Sequence, residues 1–186
     1  ACLIGCGLST TPDIKEIVQF VINNAKCGTV FDADALNCIS EDLSLLNTLQ
    51  VPAVITPHIA EMARLASLSV EQVNSNTIKV AKLFAIEQNV VVVLKCHRTI
   101  IATPDGEIFQ NTTGNAGLAK GGSGDVLAGM IAGLMAQGLD AKDAAICGVY
   151  LHGLCADRLD KKMSQYSFLA RDLIEEIPYA LKSIDR

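Results

Sequence analysis

The chain has 186 residues, half of them hydrophobic and 19% charged, enough for one globular domain with a substantial core and too apolar for a disordered chain. A formal net charge of −5 argues against nucleic acid as the main partner, and with 4% aromatics and no tryptophan there is little on which single-stranded bases could stack. Seven cysteines without a CxxC pair give neither a zinc spacing nor a disulfide framework, and they read as thiols of a reducing cytoplasm.

Residues 1–4 form an apolar strand candidate, followed by Gly5 and Gly7. A helix is expected over 12–24, where Ile14, Ile17, Val18, Val21 and Ile22 recur at helical spacing. Strand, Gly-x-Gly and helix suggest a dinucleotide loop, yet the third glycine and a later acidic ribose ligand are missing. The next strand, 29–32, runs into Asp32, Asp34 and Asn37. Carboxylates there lie where open α/β sheets bind ligands, or else they cap the following helix. A short strand at 53–55 leads to Thr56, Pro57, His58 and Glu61. Pro57 suits the first position of a helix and Glu61 its first turn. His58 alone reads either as structural or as a ligand contact.

Residues 70–88 read as one long amphipathic helix, and 90–94 as an uninterrupted apolar strand of the kind buried on both faces of a parallel sheet. That run is too short to span a bilayer. It ends in Lys95, Cys96, His97, Arg98 and Thr99. A lysine at a strand end is a natural phosphate contact or a merely solvated side chain. Strands at 99–103 and 107–110 flank Pro104-Asp105-Gly106, a hairpin turn. Helices at 141–159 and 169–184 cover the sheet, and His152 in the first reads as a packed or surface histidine.

Residues 111–129 read NTTGNAGLAKGGSGDVLAG and run into a buried type of helix, apolar with small residues over 125–137. Glycines let a ligand approach the backbone closely, and the unpartnered first N–H groups of a helix favour an anion. A phosphate is the obvious guest. Asp125 either caps this helix or faces the phosphate as a base. No Gly-Lys-Ser/Thr triplet is present, so the loop is not a Walker A loop. Strands alternating with helices imply a mostly parallel α/β sheet, with Gly7, Asp34, His58, Lys95 and the phosphate loop on one sheet edge.

The run Gly114, Asn115, Gly117, Leu118, Ala119, Gly121, Gly122, Gly124, Asp125, Val126, Leu127 and Gly129 resembles a signature of the ADP/ATP-dependent NAD(P)H-hydrate dehydratases, members of the ribokinase-like superfamily. The resemblance covers the whole chain. DADALN at 32–37 stands intact, and Thr56, Pro57, His58, Glu61 and Met62 match Thr-Pro-His-Pro-Gly-Glu-Met except at Ile59 and Ala60. Cys6 and Ser9 depart from Gly-Pro-Gly-Leu-Gly, and Cys96 departs from Lys-Gly-x-x-Thr. It starts partway into the family domain, so 1–186 is expected to be a single ribokinase-like domain without its N-terminal portion.

The resemblance implies an α/β three-layer sandwich with helices on both faces of a mostly parallel sheet. It implies a hydro-lyase that returns hydrated NADH and NADPH to NADH and NADPH at the expense of ADP, or less readily ATP, with Mg²⁺. It assigns Asp125 to catalysis, and Gly7, His58 and Asp125 to the hydrated dinucleotide. Lys95, Cys96, His97, Arg98, Thr99, Asn115, Gly122, Ser123 and Gly124 go to the nucleotide, and Glu61 to the metal through water. Asp34 and Asn37 would line the site. A cytoplasmic homo-oligomer, a tetramer, without nucleic-acid or membrane partners completes the expectation. The alternative is a ribokinase-like kinase of a vitamin precursor.

Overall fold

A computed structural model describes residues 1–185. Among these residues the strands are β1 (Cys2–Ile4), β2 (Thr29–Phe31), β3 (Ala53–Ile55), β4 (Val91–Leu94), β5 (Ile100–Ala102) and β6 (Ile108–Gln110), and they form one sheet in that order. β1 to β4 pair in parallel, whereas β5 and β6 return antiparallel through the turn at Gly106. The C-terminal ends of four strands therefore meet at one edge.

Alternation along each strand divides the core. Phe31, Ile55, Val92 and Leu94 face α1 (Pro12–Asn24), α2 (Asp34–Ile39), α3 (Ile59–Leu65), α4 (Val70–Ser75) and α5 (Thr77–Gln88). Val30, Val54, Val91 and Val93 face α6 (Ser123–Ala136) and α7 (Ala141–Leu159). Both faces of β4 are thus dry, as its unbroken valine run requires. Behind α7 lies α8 (Ala170–Ile184), whose buried Glu176 accepts a hydrogen bond from Arg158 at 2.6 Å and another from Lys162. This is the expected α/β sandwich with helices on both faces. No helix among the described residues is long and apolar enough to cross a membrane.

Two local expectations are corrected. Residues 70–88 are two helices broken at Asn76, which holds φ −143° and ψ 38°. Asn74, Ser75 and Asn76 carry short polar side chains that compete for backbone hydrogen bonds, and the apolar spacing does not outweigh them. α3 begins after His58 rather than at Pro57. The Pro57 carbonyl accepts the Lys95 N–H at 2.8 Å, so Pro57 is committed to the sheet edge. His58 caps instead. Its Nδ1 accepts the amides of Ala60 and Glu61, and Glu61 Oε2 accepts the His58 N–H at 2.7 Å.

α6 and α7 pack closely because Gly148 carries no side chain. A Cβ there would sit 2.7 Å from Ile131 Cγ1, deep in the core under β2 to β4. Gly148→Ala is expected to destabilise the fold by about 1–3 kcal/mol through overpacking, read as a lowered urea midpoint at unchanged m-value.

Candidate active site

The site grows from the converging strand ends. β2 ends next to Asp32, which is 1% exposed. A buried carboxylate needs partners. Asp32 Oδ1 accepts from Thr56 Oγ1 at 2.7 Å and from Lys95 Nζ at 2.8 Å, and Oδ2 accepts from Cys6 Sγ at 3.6 Å. Lys95 Nζ also lies 3.9 Å from Glu61 Oε2. Burial, reinforced by the carboxylates of Asp32 and Asp125, pushes the Cys6 thiol up to about 12, so it stays protonated.

The glycine-rich loop delivers the start of α6 to the same place. Gly122, at φ 85°, is the residue before the helix, and no side chain caps it. The Ser123 N–H donates to the Lys120 carbonyl at 3.3 Å, which leaves the amides of Gly124 and Asp125 for another acceptor. A Cβ on Gly124 would stand 3.3 Å from Lys95 Nζ, so the ammonium and the positive end of the helix adjoin. Asp125 is exposed in the first turn, and the cap is Gly122. One carboxylate oxygen of Asp125, one of Asp32 and Cys6 Sγ all lie within 4.8 Å of one another. An ammonium and an uncapped helix start thus stand beside an exposed carboxylate, an arrangement that suits phosphoryl transfer to a hydroxyl.

A cleft of about 560 Å³ opens beside this start. Its walls include His58, Lys95, Cys96, His97, Thr99, Asn115, Ser123 and Gly124, residues drawn from three separate stretches of sequence. Gly7 is exposed after β1 at φ 68°. Glu61 is buried beneath His58, and Arg98 is exposed. Asp34 and Asn37 do not line the cleft. Asp34 Oδ2 accepts the Ser9 N–H at 2.7 Å, and Asn37 Oδ1 accepts from Arg64. Ser9 holds φ 72°, a left-handed conformation that suits the glycine it replaces, and the carboxylate of Asp34 helps secure it.

Sequence reasoning passed over three contributors. Asp32, not Asp34, points inward, because the chain turns sharply at Ala33, which holds φ 48°, and α2 then carries Asp34 away. Thr56 joins it through a hydroxyl that was legible only as part of a motif. His152, expected as a packed or surface residue, is buried, lines the cleft, and leaves Nε2 without a hydrogen-bond partner. Burial pushes its imidazole down to about 4, and the charge of Lys95 acts in the same direction.

The sequence profile of the NAD(P)H-hydrate dehydratase family matches residues 1–179. A bifunctional NAD(P)H-hydrate repair enzyme of Moorella thermoacetica is 41% identical over 98% of this chain and 34% of its own length. The ADP-dependent (S)-NAD(P)H-hydrate dehydratase of Bacillus subtilis is 36% identical over 100% of this chain and 65% of its own. The solved ADP/ATP-dependent NAD(P)H-hydrate dehydratase of the same species, co-crystallised with ATP and Mg²⁺, superposes with a TM-score of 0.88 at 34% identity, over 98% of this chain and 64% of that one. Thermotoga maritima ribokinase, 21% identical with a TM-score of 0.60 over 97% of this chain and 56% of its own, shares the fold alone. The chain thus spans between about a third and two thirds of the relatives it matches.

His152 gives the site a pH signature. Above pH 6.5 its imidazole is neutral whether the chain is folded or not. As pH falls from 6.5 towards 4 the unfolded chain takes a proton that the folded one refuses, so stability is lost through that window. The full effect is about 3 kcal/mol. His152→Gln is expected to flatten this part of the curve, measured by urea unfolding at pH 7 and pH 5.

Proposed function

The chain belongs to the NAD(P)H-hydrate dehydratase family, a branch of the ribokinase-like fold, and we propose that it dehydrates the S-form of hydrated NADH and NADPH with ADP as phosphoryl donor. The uncapped start of α6 beside Lys95, with Asp125 in its first turn, carries this reading. ADP is taken as the donor because the relatives of Bacillus subtilis and Neisseria meningitidis are both named ADP-dependent.

The residues divide the work. Asp125 would accept the proton of the ring hydroxyl, or orient it, as that oxygen attacks the terminal phosphorus of ADP. The amides of Gly122 to Gly124 and the ammonium of Lys95 would stabilise the transferring phosphoryl group. The phosphorylated hydroxyl then departs as inorganic phosphate, a ring proton is lost, and the double bond returns. ADP leaves as AMP. Gly7 and His58 would meet the hydrated dinucleotide, and Lys95 to Thr99 with Asn115 the nucleotide.

Mg²⁺ favours hard oxygen ligands and keeps several waters. The carboxylates of Asp125 and Asp32 fit that preference, and the protonated thiol of Cys6 does not. Asp125 would hold the ion together with nucleotide oxygens, while Glu61, buried under the His58 cap, would reach it only through water. Bound there, Mg²⁺ would neutralise the nucleotide phosphates. The same reading makes the protein a cytoplasmic homotetramer.

The test is recovery of NADH absorbance from hydrated NADH with Mg²⁺ and either ADP or ATP. Recovery with ADP is expected, and Asp125→Asn should lower it about 10²- to 10⁴-fold. A phosphorylated product that persists would favour the small-molecule kinase instead. No turnover by a folded chain that still binds nucleotide would leave a binding protein.

A further inference from the structure

The stretch 113–115 is held against one face of α7 by three contacts. Thr113 Oγ1 donates to the Tyr150 carbonyl at 2.8 Å. The Gly114 N–H donates to Asp157 Oδ2 at 2.8 Å, and Asn115 Nδ2 donates to Asp157 Oδ1 at 3.1 Å. Gly153, one turn before Asp157, lets the loop lie flat, since a Cβ there would come 2.3 Å from Thr113 Oγ1. Gly114 takes φ 100°, a conformation open to glycine but one of several it can adopt, so an outside contact selects it. Asp157 is half-buried and lies outside the cleft wall, while Gly114 and Asn115 are part of it.

The amide of Asn115 is fixed from both ends. Its Oδ1 accepts the Gly117 N–H at 3.0 Å, and its Nδ2 gives one hydrogen to Asp157. An Asn amide has two N–H donors, so one remains for a ligand. Without Asp157 the amide is held at its oxygen alone, and the Gly114 amide loses its acceptor.

We propose that Asp157 is a positioning residue for nucleotide binding: it fixes the left-handed turn at Gly114 and the side-chain amide of Asn115, so that the free N–H of Asn115 meets an acceptor oxygen of the nucleotide. This rests on the reading of the cleft as a nucleotide site. Asp157 touches no reacting atom, and its effect passes entirely through Asn115 and Gly114.

The experiment is a double-mutant cycle on ADP affinity, measured by calorimetry with Mg²⁺ on the full chain, with a melting curve for every variant. Asp157→Ala is expected to weaken ADP about tenfold, the loss appropriate to a charged hydrogen bond. Asn115→Ala should weaken it similarly, and the double variant should be no weaker than the worse single one. Asp157→Asn, which keeps an acceptor for Gly114 but turns a donor towards Asn115, should bind with intermediate affinity and serves if the alanine variant fails to fold. Losses that add across the cycle, or Asp157 variants that bind as the parent chain does, would overturn the positioning role while leaving the proposed function intact. No ADP binding by the parent chain would overturn both.

Discussion

One buried carboxylate organises the functional edge. Asp32 is 1% exposed at the end of β2, where an unpaired charge would cost several kcal/mol. Its partners come from every other parallel strand: Cys6 after β1, Thr56 after β3 and Lys95 after β4. The four strand ends are therefore tied together chemically as well as by the backbone ladder. Gly5 makes room for this convergence, since a Cβ at its φ of 128° would meet the Asp32 carbonyl oxygen at 1.7 Å.

The same pairing sets the electrostatics of the cleft. Lys95 is held between Asp32 and Glu61, so its position is fixed while its Nζ still adjoins the start of α6. Two positive features, the ammonium and the uncapped helix end, stand on one side. Asp125 adds a solvent-accessible carboxylate within reach of Asp32. The separation of roles follows from burial. Asp32 is neutralised by its contacts and serves as structure, whereas Asp125 is exposed and free to act.

The departures from the family pattern fall where the structure tolerates them. Cys6 stands in place of a proline and supplies a thiol donor to Asp32, which a proline ring could not. Cys96 stands in place of a glycine and turns its thiol to the Arg98 carbonyl at 3.1 Å, outlining the bend before Thr99. Ile59 and Ala60 replace proline and glycine at the start of α3, and the His58 cap makes the helix begin there without either.

The sequence by itself determined the order of the strands, the burial of β4 on both faces, the helix at 12–24 and the glycine-rich start of α6, because apolar periodicity and glycine chemistry act over a few neighbouring residues. It also put Lys95, His58 and the glycine loop on one edge, since residues that follow parallel strands share an end of the sheet. It did not decide which carboxylate turns inward. Asp32 and Asp34 are two residues apart and chemically identical, and only the packing of Asp32 against Thr56 and Lys95 separates them. The break at Asn76, the capping role of His58, the burial of His152 and the clasp of Asp157 on Gly114 and Asn115 became visible only in the folded structure. Each depends on contacts between residues distant in the chain or on a balance of local hydrogen bonds too close for periodicity to resolve.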